Sequence, residues 1–330
     1  LGYTHLQPAQ PTTVGKRACM WAFDLVTDLR RIQHLIRTLP FRGLQGAVGT
    51  QASYLALFEG NPLKVLRLNN AFARARGFRS TLTITGQTYP RKLDSTITEC
   101  LASLGASCHK IGLDLRLLAS KMELEEPFEE GQRGSSAMPY KRNPMRSERV
   151  CSIGRYLMAH IIAAYETQAT QMLERSLDDS ALRRMHLPEC FLAADAILRI
   201  LQNVFEGIIV NRGVIARNLA AELPFLISEE IIQAMVRHGG NRQKVHEQLA
   251  IHSHAASRRI KDEGQPNDLL ERIRGDAFFT PVLGELEGLM DPRRLTGLAS
   301  RQVNTFWLNT IVPLLNPYEG KLEGAITLNV

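Results

Sequence analysis

GSSAMPYKRNPMRSERV, running from Gly134 to Val150, sets two serines, a rigid Met-Pro-Tyr and a Lys-Arg-Asn-Pro run directly ahead of a helical pattern. A linker needs only flexibility. It has no use for an ordered alternation of hydroxyl, proline, cation and amide. Gly131 and Gly134 free the backbone on the near side, while Pro139 and Pro144 stiffen the far side. A glycine-hinged segment on a rigid base suits a closing active-site loop. An ordinary surface loop has a similar composition, so the cationic half carries the argument. Lys141 and Asn143 stand beside an expected helix N-terminus, where unpaired N–H groups and the helix dipole favour anions. Together they can hold a carboxylate and stabilise charge that develops on it. An upstream serine then removes a proton from the neighbouring carbon, provided a dry, cationic site stabilises the alkoxide.

On both sides of this stretch the chain reads as long helices. Alternating three- and four-residue steps place Trp21, Leu25, Leu29, Ile32, Ile36 and Leu39 on one face. A second seam runs through Leu93, Ile97, Cys100, Leu104, Cys108, Ile111, Leu115 and Leu118. A third holds Val150, Ile153, Leu157, Ile161 and Ala164, and a fourth Leu187, Phe191, Ala194, Leu198, Leu201, Phe205 and Ile208. This spacing suits near-parallel bundle packing. Helices of roughly 30 residues span about 45 Å. Stripes that long bury best against partner chains, so an oligomer with a shared bundle is expected, with a bundle inside one chain as the alternative.

Thr12 and Thr13 are placed to cap the first helix, with Pro90 and Pro144 in the opening turns of the second and third. Glu222 to Gly240 reads as one amphipathic helix ended by Gly239–Gly240, and STLTITG, Ser80 to Gly86, is the one strand-like stretch. The expected fold is all-α: a long-helix bundle and catalytic domain over 1–210, and a smaller C-terminal helical domain over 211–330.

The remaining composition narrows the functions. No apolar run reaches the roughly 18 residues a membrane span needs, and no basic-then-apolar leader opens the chain, so a cytoplasmic location is expected. The first residue is Leu1 rather than Met, which points to a longer parent chain. The five cysteines are widely spaced and form no C-x-x-C pair, favouring reduced core thiols over disulfides or zinc. His252 and His254 stand two apart, which one helix face does not bring together, and no metal or other cofactor is expected. The net charge of +7 leaves a nucleic-acid surface or a polyanionic small molecule as partner. The cations are scattered and lack interleaved aromatics, so the small molecule is favoured, with no nucleic acid and no membrane as partner.

Three separated segments carry a resemblance. GSSAMPYKRNPMRSE is similar to the G-S-S-x-M-P-x-K-x-N-P loop of the fumarase/aspartase superfamily, matched at Gly134, Ser135, Ser136, Met138, Pro139, Lys141, Asn143 and Pro144. With Tyr140, Arg142 and the trailing MRSE it resembles the adenylosuccinate lyase family in particular. YTHLQPAQPTTVGKR and LERSLDDSALRR resemble that family's histidine and later substrate segments. The similarity runs across the whole chain, although the family's N-terminal domain has no counterpart here.

The resemblance implies a homotetramer with a shared helical bundle and active sites drawn from several subunits. It also implies a fumarate-releasing β-elimination: adenylosuccinate gives AMP, and SAICAR gives AICAR, in purine biosynthesis. By the same token Ser135 is the base, with Ser136 its rival. Lys141 and Asn143 stabilise the carbanion, His5 is the general acid, and Glu148 is the partner of His5. Gln87, Arg149, Arg175, Ser180 and Arg184 contact substrate. A sibling enzyme (argininosuccinate lyase, fumarase or aspartase) and a non-catalytic structural relative are the alternatives. Tyr140, Arg142 and SLDDSALRR argue against the siblings, and the intact set Ser135, Lys141, Asn143, His5 and Glu148 argues against the silent relative.

Overall fold

The computed structural model describes residues 1–128, 137–321, 324, 326 and 328. Leu1–Met20 groups with Val210–Leu322 in one compact unit, and Trp21–Ile209 with Glu323–Val330 in another. The expected all-α character holds. The second unit is built on α1 (Val14–Thr38, its later part), α4 (Lys92–Ser120), α5 (Met145–Ala169) and α6 (Asp179–Glu206), with α2 (Ala52–Leu57) and α3 (Pro62–Ala75) in the connection before α4.

The seam of α4 packs as its periodicity requires: Cys100, Leu104, Cys108, Ile111, Leu115 and Leu118 are all buried. Glycines let α4 and α5 approach closely, Gly105 and Gly154 among them. A Cβ on Gly105 would stand 2.9 Å from the Leu157 Cβ, and one on Gly154 would stand 2.8 Å from the Gly105 carbonyl oxygen. A side chain at either position would push the helix backbones apart. On α5, Val150, Leu157 and Ala164 are buried as expected.

The seams of α1 and α6 differ from the reading above. Trp21 is buried, but Ile36 is 71% exposed and α1 ends at Thr38, before Leu39. Polar bonds pin this helix instead. Trp21 Nε1 donates to Asp114 at 2.7 Å, and the buried Asp28 carboxylate accepts from Ser103 and Ser107 at 2.7 and 2.6 Å. In α6 the buried line is His186, Cys190, Ala193, Ile197, Ile200 and Val204, together with Ala194 and Leu201. Phe191 is 54% exposed and Leu198 43% exposed. The helix is apolar on two adjacent faces, and the chain's own helices cover the one offset by a residue from the expected seam.

Helix starts follow their chemistry with small shifts. Thr13 Oγ1 accepts the Lys16 N–H at 3.1 Å, an N-cap of the usual kind. Pro90 and Pro144 stand just ahead of the first turns rather than inside them, their carbonyls accepting from Leu93 and Glu148 at 3.0 Å each. Ser80 to Gly86 forms no strand, only an isolated bridge between Phe41 and Thr81. The chain does open on a hairpin, β1 (Gly2–Thr4) antiparallel to β2 (Gln7–Ala9).

The other unit packs α7 (Arg212–Leu226), α8 (Ser228–Arg237), α9 (Arg242–Glu263) and α10 (Leu269–Arg274) around Leu223, Ile227, Ile231, Val245, Ile273, Phe279 and Leu286. The single helix expected over 222–240 is thus two, parted at the fully buried Ile227. Its end matches the sequence: Gly239 has φ 85°, and the Gly240 N–H bonds back to the Met235 carbonyl at 2.9 Å. Among the described residues no helix is long and apolar enough to cross a membrane.

Candidate active site

The last turns of α4 and the segment leading into α5 face one another across a groove of about 470 Å³. Leu113, Arg116, Leu117 and Ser120 line it from α4; Lys141, Arg142, Asn143, Pro144 and Glu148 line it from the other side. Lys141, Asn143 and Glu148, three residues singled out in the sequence, therefore share one cavity, and all three are exposed. Arg149 is exposed on the same turn of α5, outside the groove lining. Arg116 adds a cation that no sequence motif flagged, since it lies off the buried seam of α4. Ser135 and Ser136 lie outside the described residues, as do Gly131 and Gly134.

The α5 N-terminus departs from the reading above. Its first N–H groups are not open to a ligand carboxylate. Glu126 accepts from the Arg146 N–H at 3.0 Å and from the Ser147 N–H at 2.5 Å. The Met145 N–H bonds to the Asn143 carbonyl at 2.8 Å. A carboxylate of the chain already fills the anion position, so charge on a bound molecule must be met by side chains such as Lys141 and Arg116.

Gln87 and Arg175 meet at a second place. The Gln87 N–H donates to the Glu174 carbonyl at 3.0 Å. Gly86 makes this contact possible, because a Cβ there would stand 2.6 Å from the same oxygen. Arg42 ties the loop further, donating to the Gly46 and Gly86 carbonyls at 2.9 and 3.0 Å.

Arg175 is already engaged: its Nη1 bonds both oxygens of Asp179, at 2.8 and 3.1 Å. Arg91 Nε reaches the same carboxylate at 2.6 Å, with both side chains almost wholly buried. Burial alone raises the Asp179 pKa, but the bonds and charges of Arg175 and Arg91 outweigh it and hold the carboxyl below its usual 3.8. A parallel set lies alongside. Arg183 pairs with Asp94 and also donates to the Tyr89 hydroxyl, which donates to Asp94 at 2.7 Å. The guanidinium of Arg91 stands over the Tyr89 ring, 4.8 Å from its centre. Ser180 is half-buried in the first turn of α6, and Arg184 is exposed one turn on.

His5 belongs to the other unit and is exposed at the tip of the β1–β2 hairpin. Its φ of 51° and the 61° of Leu6 place two side-chain-bearing residues in the left-handed region. Such turns favour glycine or asparagine, and the strain at a tip histidine is of the kind found at functional positions. Sequence spacing carried no sign of it.

A lyase family profile matches residues 1–158, and a profile described as adenylosuccinate lyase C-terminus matches residues 224–306. Adenylosuccinate lyase of Schistosoma mansoni is 50% identical over 321 residues, covering 97% of this chain and 67% of that protein. The Schizosaccharomyces pombe enzyme of that name is 48% identical over 98% of the chain and 67% of its own length, and the Saccharomyces cerevisiae one 46% identical over 100% and 69%. The chain thus spans about two thirds of the length of these relatives.

Among solved structures, the 3-carboxy-cis,cis-muconate lactonizing enzyme of Pseudomonas putida superposes with a TM-score of 0.77 at 24% identity, over 92% of this chain and 65% of that one. A fumarate lyase from Mesorhizobium gives 0.75 at 23% identity, over the same shares of each chain. These two speak for the fold. With half its residues shared across nearly its whole length, the chain belongs to the adenylosuccinate lyase family.

Proposed function

We propose that the chain catalyses β-elimination of fumarate from adenylosuccinate, giving AMP, and from SAICAR, giving AICAR. The observation that carries this reading is the groove between α4 and α5, where Lys141, Asn143 and Glu148 line one side and Arg116 the other. It stands in a chain half identical to a named adenylosuccinate lyase. Both substrates are dicarboxylates bearing a phosphate, and a cation-lined groove suits them.

In this scheme Ser135 removes the Cβ proton of the succinyl group. The electron pair left behind is held as an aci-carboxylate by Lys141 and Asn143. It then forms the fumarate double bond as the C–N bond breaks, and His5 of a neighbouring copy gives its proton to the departing nitrogen. Glu148 orients that imidazole. Gln87, Arg149, Arg175, Ser180 and Arg184 hold the nucleotide and carboxylates. Each proton transfer contributes about 10²–10⁴ in rate.

The apolar residues left open on α5 and α6, among them Ile162 at 60%, Phe191 at 54% and Leu192 at 69%, support assembly into a homotetramer that buries them. Five free thiols support a reducing, cytoplasmic setting. Replacing Ser135 and Ser136 by alanine one at a time tests the scheme. Ser135→Ala is expected to lower kcat by several orders of magnitude and Ser136→Ala far less; the reverse order would move the base to Ser136.

A further inference from the structure

Helix α5 begins without a cap of its own. Its N-cap position is Pro144, which has no side-chain acceptor, and the oxygens that satisfy its first turn come from Glu126, 20 residues earlier. Both oxygens are used, one on the Arg146 N–H and one on the Ser147 N–H. Three further ties join the same two strands of chain. Arg146 Nη1 donates to the Pro127 carbonyl, Arg142 pairs with Glu125 at 3.4 Å, and the Arg142 guanidinium lies 4.9 Å from the centre of the Phe128 ring. Asn143 and Pro144 border this close-packed neck on one side and the groove on the other.

We infer that Glu126 is a positioning residue for the elimination. It fixes the α5 N-terminus, and through Asn143 and Pro144 the placing of Lys141, Asn143 and Glu148 in the groove. It touches no substrate itself. It also occupies the helix-end anion position, so that a substrate carboxylate is directed to the side chains rather than to the backbone amides. Misplacing reacting groups by about 1 Å costs on the order of 10² in rate. This inference rests on the lyase reading above and adds a residue to it.

The test compares wild type with Glu126→Gln and Glu126→Asp, measuring kcat, KM, thermal midpoint and amide exchange over residues 145–148. Glutamine keeps one acceptor oxygen but turns its NH₂ toward the other N–H. The expected result is a kcat lowered about 10- to 100-fold with KM within about threefold. The thermal midpoint holds while exchange in the first turn of α5 quickens by about tenfold or more. Aspartate, one methylene shorter, is expected to fall between the two. An unchanged kcat in Glu126→Gln overturns the inference. So does a fall in kcat that merely tracks the fraction folded, since that marks a structural role alone. If the wild-type chain releases no fumarate, the reading of the site itself has failed; a working wild type with an indifferent Glu126→Gln sinks this inference only.

Discussion

Two regions of the long-helix unit hold candidate substrate contacts, and each relies on a carboxylate in a different way. At the start of α5, Glu126 accepts from backbone amides, and the residues it positions are exposed. At the start of α6, Asp179 is buried between Arg91 and Arg175, and Asp94 takes Arg183 beside it. The first arrangement is a cap, worth about 1 kcal/mol in typical helices. The second is a buried ion pair, whose net worth is small but whose disruption is expensive, because a guanidinium is left uncompensated away from water. Damage at Asp179 should therefore register in stability, and damage at Glu126 in turnover.

The sharpest way to break this contrast is Asp179→Ala. It strands Arg91, whose side chain is 3% exposed, and is expected to cost about 3–5 kcal/mol in urea unfolding. A loss below about 1 kcal/mol would put the two regions on the same footing. The same pair predicts an acid dependence. The folded-state pKa of Asp179 is lowered, so its contribution is complete above 3.8 and is lost as pH falls below that value. The wild type should lose stability more steeply than Asp179→Asn across that acid range; parallel curves would contradict the assignment.

Arg142→Ala marks the small end. Its ion pair with Glu125 is half exposed, so equilibrium stability is expected to change by less than about 1 kcal/mol, read as a small shift in midpoint denaturant concentration. A larger loss would mean that the neck is held by Arg142 rather than by Glu126.

Much of this was legible in the sequence, and what was not has identifiable causes. The seam of α4 followed from spacing because its apolar stripe is covered within the chain. The seam of α6 came out one residue off, since Phe191 and Leu198 continue an equally good repeat on a face the chain leaves open. Local spacing records apolar stripes, not what covers them. Lys141, Asn143 and Glu148 were singled out through their motif, and all three line one groove. Glu126 escaped because a cap supplied from 20 residues away leaves no local pattern. Asp179 lies inside the quoted LERSLDDSALRR segment, but nothing in the sequence pairs it with Arg91, 88 residues distant. The break at Ile227 falls at a residue with no special backbone preference, and the left-handed turn at His5–Leu6 closes a hairpin without the glycine or asparagine that would have announced it.

Fumarate release followed by absorbance tests the whole account most directly, with adenylosuccinate run beside argininosuccinate, malate and aspartate. Turnover of adenylosuccinate, with little or none of the other three, is the expected result. Turnover confined to one of those three would contradict the account.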